Sequence, residues 1–287
     1  MRVVNQEDLS SSSTALASPD QPIQTAVILA AGMGIRLKER TKLTPKSCLR
    51  LGGKSIIEES ILRLLDVGIE RIVIVTGHLA EQFIPLRDRY SDSVELAHNE
   101  HFADSGTLYS LYCAREYVDG SFLLLEADLV YERRALTACL EDPCDNALLL
   151  SGFTNTSDEY FVETLNDELL AISTKRESLG AEVPGEMMGI SKVSHSLFED
   201  MVDTADERFD ETRHLNYEVD WLVPAAREVS IACPVVDDLV WCEIDDESQL
   251  AHARDNIYPI VSRLDKACET RVSIPHQATL SKIRSAG

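Results

Sequence analysis

The sequence contains no run of about 18 apolar residues, so nothing in it reads as a membrane span. Its first residues also lack the apolar core of a signal peptide. These two absences point to a cytoplasmic protein. Basic residues are scarce: 27 Lys and Arg stand against 49 Asp and Glu, for a net charge of -22. Such a surface repels nucleic acid and anionic membranes, so neither is expected as a partner and any phosphate site must be local. The seven cysteines, at 48, 113, 139, 144, 233, 242 and 268, include no CxxC pair, which argues against a disulfide framework and a cysteine zinc site. The histidines have no ligand spacing and read as structural or exposed, and no internal repeat is present.

What is present suffices for a full core. The chain has 287 residues and is 44% hydrophobic, which suits one main domain with tails. Residues 1–24 include the Ser-rich, Pro-punctuated stretch LSSSSTALASPDQP and read as a disordered segment. Residues 25–262 form the expected domain, and residues 263–287 a polar tail. Within the domain, TAVILAA, RIVIVTG, SVELAHN and SFLLLEADL read as strands. Helical spacing separates them in SIIEESILRLLDVG, LAEQFIPLRDRY and TLYSLYCAREYV. Strands apolar on both faces, alternating with helices, predict an α/β domain with a mixed, mostly parallel, Rossmann-like sheet covered by helices on both faces. After Asp128 the strands NALLLSG, YFVETLN, LLAISTK and GEMMGISKVS follow at closer spacing, as antiparallel or mixed additions. A last strand, LVWCEIDD, precedes a helix over ESQLAHARDNIYPIVSRL.

The first strand breaks into a glycine turn, LAAGMGIRL. At the carboxyl end of a parallel strand this is where ligands bind in open α/β folds. Gly32 and Gly34 let backbone N–H groups approach an anion. The dinucleotide fingerprint would need a third glycine where Leu37 stands and an acid where Thr76, Gly77 and His78 stand, and GxxxxGK[ST] is absent. A tight turn with a solvated face would explain the glycines alone. It does not explain why residues 36–54 gather seven of the 27 basic side chains: Arg36, Lys38, Arg40, Lys42, Lys46, Arg50 and Lys54. A polyphosphate does, since arginine offers a fork of donors and lysine a point charge.

LAAGMGIRL followed by TPKSCL resembles the signature of nucleotidyltransferases with a GT-A-like α/β fold. The resemblance implies that Leu29, Ala30, Ala31, Gly32 and Gly34 wrap a nucleoside triphosphate, with Arg36 and Lys46 as catalytic cations on its phosphates. Asp128 and Asp245 each end an apolar stretch, a place where an Asp more often caps a helix or a turn; the resemblance makes them the ligands of Mg2+. Asp246 and Glu126 rank behind them, although residues 126 and 128 share a face by parity. Val130 stands where a related glycosyltransferase would carry the second acid of D-x-D.

In order, NEHFADSGTLYSLY, EADLVYE, SDEYFVE, STK, YEVDWL and CEIDD are similar to the small cytidylyltransferases that activate phosphocholine or phosphonates, over roughly residues 25–258. What this implies is transfer of CMP from CTP to a small phosphonate or phosphomonoester, with release of pyrophosphate; a homodimer is compatible with it. Base and ribose contacts would fall on Ser105, Gly106, Thr107 and Ser110, where the family often has paired Asn. Lys175 would meet the acceptor's phosphonate or phosphate oxygens. Tyr160, Tyr217, Glu218, Asp220 and Trp221 would hold an ammonium group by aromatic faces and carboxylates, against the plainer reading of a core aromatic stripe. Two alternatives stand beside this one: a sugar-1-phosphate nucleotidyltransferase using UTP or dTTP, and an inactive nucleotide-binding regulator.

Overall fold

The structure is a computed structural model that describes residues 22–154 and 160–272. Residues 1–21 of the expected N-terminal segment and 273–287 of the expected tail lie outside the described residues. Four parallel strands carry the centre of the sheet: β1 (Thr25–Ala30), β2 (Arg71–Thr76), β3 (Val94–His98) and β4 (Phe122–Glu126). They lie in the order β4-β1-β2-β3. Beyond β4, β9 (Gly185–Val193) runs antiparallel between β4 and β6 (Ala147–Ser151). The short β10 (Val235–Val236) pairs parallel with β6. The hairpin of β7 (Phe161–Leu165) and β8 (Glu168–Ser173) joins β9 through β7.

Alternation along the strands sends successive side chains to opposite faces, and two cores result. Val27, Val73 and Leu124 pack with Leu111 of α3 (Thr107–Tyr112) and with Phe198 and Met201 of α5 (His195–Glu211). Their neighbours Ile28, Ile74 and Leu125 pack on the other face with Ile57 and Ile61 of α1 (Ile56–Asp66) and Leu136 of α4 (Arg134–Glu141). The expected mixed, mostly parallel sheet with helices on both faces is therefore what the chain forms. The predicted short helix between β2 and β3 is α2 (Ile84–Arg89).

Local chemistry explains the boundaries. Ser55 caps α1 by accepting from the Glu58 N–H at 3.3 Å, and Ser194 caps α5 through the Leu197 N–H at 3.2 Å, each satisfying a donor that has no partner inside the helix. α4 and α5 add to the expected elements; in α5 the buried Leu197, Phe198, Met201, Ala205 and Phe209 recur at helical spacing.

Two expectations change, and the last strand finds its partner. SFLLLEADL is not one strand: β4 stops at Glu126, and the chain resumes as β5 (Leu129–Tyr131), which leaves the main sheet. The last strand, β11 (Trp241–Glu243), pairs antiparallel with β5 and not with the main sheet. After a π-helical turn at Glu218–Leu222 that runs into the one-turn α6 (Val223–Ala225), and then α7 (Glu247–His252), the closing helix α8 (Tyr258–Val272) continues past residue 262. A buried ion pair holds it there: Asp265 Oδ2 accepts from Arg63 Nη2 at 2.7 Å and from Nε at 3.0 Å. The Arg63 guanidinium also lies 5.4 Å from the Tyr131 ring centre.

Candidate functional site

A cleft of about 1630 Å³ opens at the carboxyl ends of β1 and β4, where the topology of an open α/β sheet places ligands. Its floor begins with the glycine loop. Gly34 has φ +58°, and a Cβ there would lie 3.0 Å from Thr41 Cγ2 and 3.2 Å from Lys46 Cβ, so both conformation and space require glycine. At Gly32 a Cβ would meet no protein atom within 4 Å, which leaves the backbone open to the cleft. The loop is tied down on both sides. The Thr41 hydroxyl donates to the Gly34 carbonyl at 2.9 Å, the His78 N–H to the Ala31 carbonyl at 3.1 Å, and the His78 ring meets the Thr41 carbonyl at 2.8 Å.

The structure brings the four expected charged residues together. Lys46 Nζ lies 2.5 Å from Asp128 Oδ2 and 2.7 Å from Asp245 Oδ1, and the half-exposed Arg36 reaches Asp245 Oδ2 at 2.8 Å. Burial alone would lower the Lys46 pKa, but the carboxylates of Asp128 and Asp245 outweigh it and raise it. Burial likewise opposes the charge on Asp245, and Lys46 and Arg36 nevertheless hold its pKa below the usual carboxylate value. Gln249 fixes the Asp245 backbone by accepting its N–H at 2.6 Å.

Carboxylates crowd beside this ammonium in a set that differs from the expected one. Oxygens of Glu126, Asp128 and Glu243 lie within 4.8 Å of one another, while Asp245 is engaged by the two cations. Burial first, then Asp128 and Glu126, push Glu243 up to about 10. Burial, then Glu218 and Asp128, raise Glu126 as well. Asp128 Oδ1 is buried without a hydrogen-bond partner among the described residues. An all-oxygen donor set whose members repel one another fits a hard divalent cation. Glu243 stands two residues before Asp245 in CEIDD, and that was the available signal for it.

Ser105, Gly106, Thr107 and Ser110 line the same cleft, as do Leu29, Ala30 and Ala31. Gly106 is obligatory for another reason: a Cβ would lie 2.1 Å from the Leu215 carbonyl, because Gly106 and Leu108 donate to the Arg213 and Leu215 carbonyls. That staple places Glu218 near α3, with the Thr107 hydroxyl 3.4 Å from Glu218 Oε2. Tyr160, Lys175 and Glu218 also face the cleft.

Tyr217, Asp220 and Trp221 do not. Tyr217 and Trp221 are packed in the core, with the Tyr217 hydroxyl donating to Glu126 at 2.9 Å. Asp220 accepts the Asn216 N–H at 2.7 Å. The π-helical turn explains this, since it turns Glu218 to the cleft and its neighbours inward. Glu186, absent from the expected set, lines the cleft from β9. It is fully buried and accepts from the Thr154 N–H and hydroxyl at 3.0 and 2.7 Å. A lone acid in the apolar run GEMMGI was its trace in the sequence.

Residues 26–151 match the family model of the MobA-like NTP transferase domain. The choline-phosphate cytidylyltransferase of Streptococcus pneumoniae is 40% identical over 99 residues, 34% of this chain and 42% of that protein. The 2-aminoethylphosphonate cytidylyltransferase of Lancefieldella rimae is 40% identical over 106 residues, 37% of this chain and 43% of its own. The matched stretch thus spans less than half the length of either relative. Among solved structures, the inositol-1-phosphate CTP transferase of T. maritima superposes with a TM-score of 0.72 at 18% identity, over 86% of this chain and 98% of that one. At this identity it shows the fold alone, a nucleotidyltransferase fold. The glycine loop, Arg36, Lys46 and Asp128 all fall inside the NTP transferase domain's matched stretch, whereas Glu218, Glu243 and Asp245 lie beyond it.

Proposed function

We propose that this chain transfers CMP from CTP to a small phosphonate or phosphomonoester that carries an ammonium group, of the phosphocholine or aminoalkylphosphonate type, and releases pyrophosphate. The observation that carries the reading is the placement of Lys46 between Asp128 and Asp245 at the foot of the glycine loop. The names of the two 40% identical relatives support the choice of nucleotide and acceptor. The reaction is an in-line displacement. An ionised acceptor oxygen forms a bond to the α-phosphorus of CTP, and the bond from that phosphorus to the bridging oxygen of the β-phosphate breaks. No general base is needed, because the acceptor oxygen is already an anion near neutral pH.

Residues of the chain then divide the work. Open backbone at Gly32 accepts the phosphates, and Arg36 and Lys46 exchange their carboxylate partners for phosphate oxygens and neutralise the charge that builds on pyrophosphate. Asp128, with Glu126 and Glu243, would hold Mg2+, which when bound supplies further neutralisation of the phosphate oxygens. Lys175 meets the acceptor's anionic end. Glu218, Glu186 and the Tyr160 ring make the far wall suited to its cationic end. The setting of this reaction is cytoplasmic, and among the described residues no helix is long and apolar enough to cross a membrane.

CTP, UTP and ATP, each with Mg2+ and with phosphocholine, 2-aminoethylphosphonate or glucose 1-phosphate, form the test, with pyrophosphate as the readout. Release from CTP with either of the ammonium-bearing acceptors is expected. Release only from UTP with the sugar phosphate, or from no pair, overturns the reading.

A further inference from the structure

Behind Ser105 and Ser110 sits Asn99, fully buried and itself outside the cleft lining. Its side-chain orientation is set by a donor that has no choice of polarity. The His101 backbone N–H approaches Asn99 Oδ1 at 2.8 Å, so that atom must be the oxygen and the other the amide nitrogen. The nitrogen then donates both of its hydrogens, one to Ser105 Oγ and one to Ser110 Oγ, each at 3.0 Å. The Asn99 backbone is pinned as well, its N–H donating to the Thr76 carbonyl at 2.8 Å at the end of β2.

Each serine oxygen therefore accepts from within the protein, which leaves its own hydrogen to donate elsewhere. Among the described residues neither hydroxyl has a hydrogen bond to donate into, and both serines line the cleft. Because both oxygens bond one nitrogen, they lie no farther apart than twice that bond. The cleft wall thus offers two neighbouring donors of fixed polarity. Cytosine presents O2 and N3 as neighbouring acceptors, whereas uracil carries a hydrogen on N3 that would face a donor.

We infer that Asn99 is a positioning residue that makes this pocket select cytosine over uracil, acting through the hydroxyls of Ser105 and Ser110. The inference rests on the proposed use of CTP and deepens it. A site built of oriented donors rejects the analogue that leaves one of them unpaired far more strongly than shape alone does.

Equilibrium binding of CTP and of UTP to the full chain, with Mg2+ and without acceptor, tests it. Wild type is expected to favour CTP by tenfold or more. Asn99→Asp keeps the shape and the bond from His101, but places an oxygen where the nitrogen stood, so the serine hydroxyls turn back toward it. The CTP to UTP affinity ratio should then fall at least tenfold. The double variant Ser105→Ala/Ser110→Ala should lose the ratio to the same extent, and adding Asn99→Asp to it should change nothing more. A folded Asn99→Asp protein with the wild-type ratio overturns the inference and leaves the proposed function standing. So does a double variant that keeps the ratio, which decides the matter if Asn99→Asp does not fold. A wild type with no preference for CTP, or with no nucleotide binding, overturns both.

Discussion

The loop side of the cleft takes Gly32, Gly34, Arg36 and Lys46 from one stretch of chain, residues 32–46, whereas the far wall takes Tyr160, Glu186 and Glu218 from three separate stretches. The two sides also handle charge in opposite ways. On the loop side every expected cation already has an acid: Lys46 has Asp128 and Asp245, and Arg36 has Asp245. On the far wall, acids face acids: burial and then Glu218 raise the pKa of Glu126, and burial, with Asp220 adding to it, raises that of Glu218. Internal ion pairs keep cations in place until phosphate displaces the acids, while a wall of like charges is stable only if it is protonated or meets a cation. In the proposed reaction this difference would suit the loop side to the triphosphate and the far wall to the cationic end of the acceptor.

Breaking the loop side should cost most. Lys46→Ala removes the ammonium that bridges Asp128 and Asp245, and we expect the rate of pyrophosphate release to fall by roughly 100-fold or more, the usual loss for a group that meets developing charge. Wild-type turnover in that variant would show that the bridge is only structural. Breaking the far wall should cost less and should fall on one substrate. Glu218→Gln is expected to raise KM for the acceptor by about tenfold, on the order of 1.4 kcal/mol, with KM for CTP unchanged. A rise confined to CTP would place Glu218 on the nucleotide instead.

The smallest effect is on stability. Glu243 ionises near 10 in the folded protein, against 4.5 for an ordinary glutamate, so between those values the folded state binds the extra proton. Stability should then decline as pH rises through that window. Asp245, whose pKa is lowered, contributes stability that is lost only below the ordinary carboxylate range, so it does not act here. In EDTA the melting temperature is expected to be a few degrees higher at pH 6 than at pH 8. Mg2+ should raise it more at pH 8, where displacing that proton costs less. A melting temperature independent of both pH and Mg2+ would show that the acids do not interact as the geometry has them.

The same contrast explains what could be read from the residues alone. The glycine loop is a local motif whose backbone demands, cation content and position after an apolar strand all lie within one window of sequence, so Gly32, Gly34, Arg36 and Lys46 were legible. Continuous apolar runs separated by helical segments made the parallel half of the sheet legible too. Glu243 and Glu186 left only faint traces, a place two residues before Asp245 and a lone acid in an apolar run, because their role depends on β11 pairing with β5 and on β9 entering beside β4. Tyr217 and Trp221 show the converse. A stretch rich in aromatics and acids, YEVDW, has the chemistry of an ammonium cage, but a π-helical turn decides that Glu218 meets the cleft while the aromatic rings join the core.

The bond between Arg63 and Asp265 has a consequence in time as well as in space. The guanidinium of Arg63 is buried in α1, and its partner lies 202 residues later in the chain. At roughly 5–20 residues per second, synthesis leaves that charge with only Glu59, 3.6 Å away on its own helix, for roughly 10 to 40 seconds after α1 has been made. We therefore expect α1 and the β5–β11 ribbon to stay open to protease on ribosome-bound chains halted before Asp265, and to become protected once it has emerged. Protection before that point would show that the helix settles without its partner. In this protein the residue that closes the fold is made 202 residues after the helix it secures.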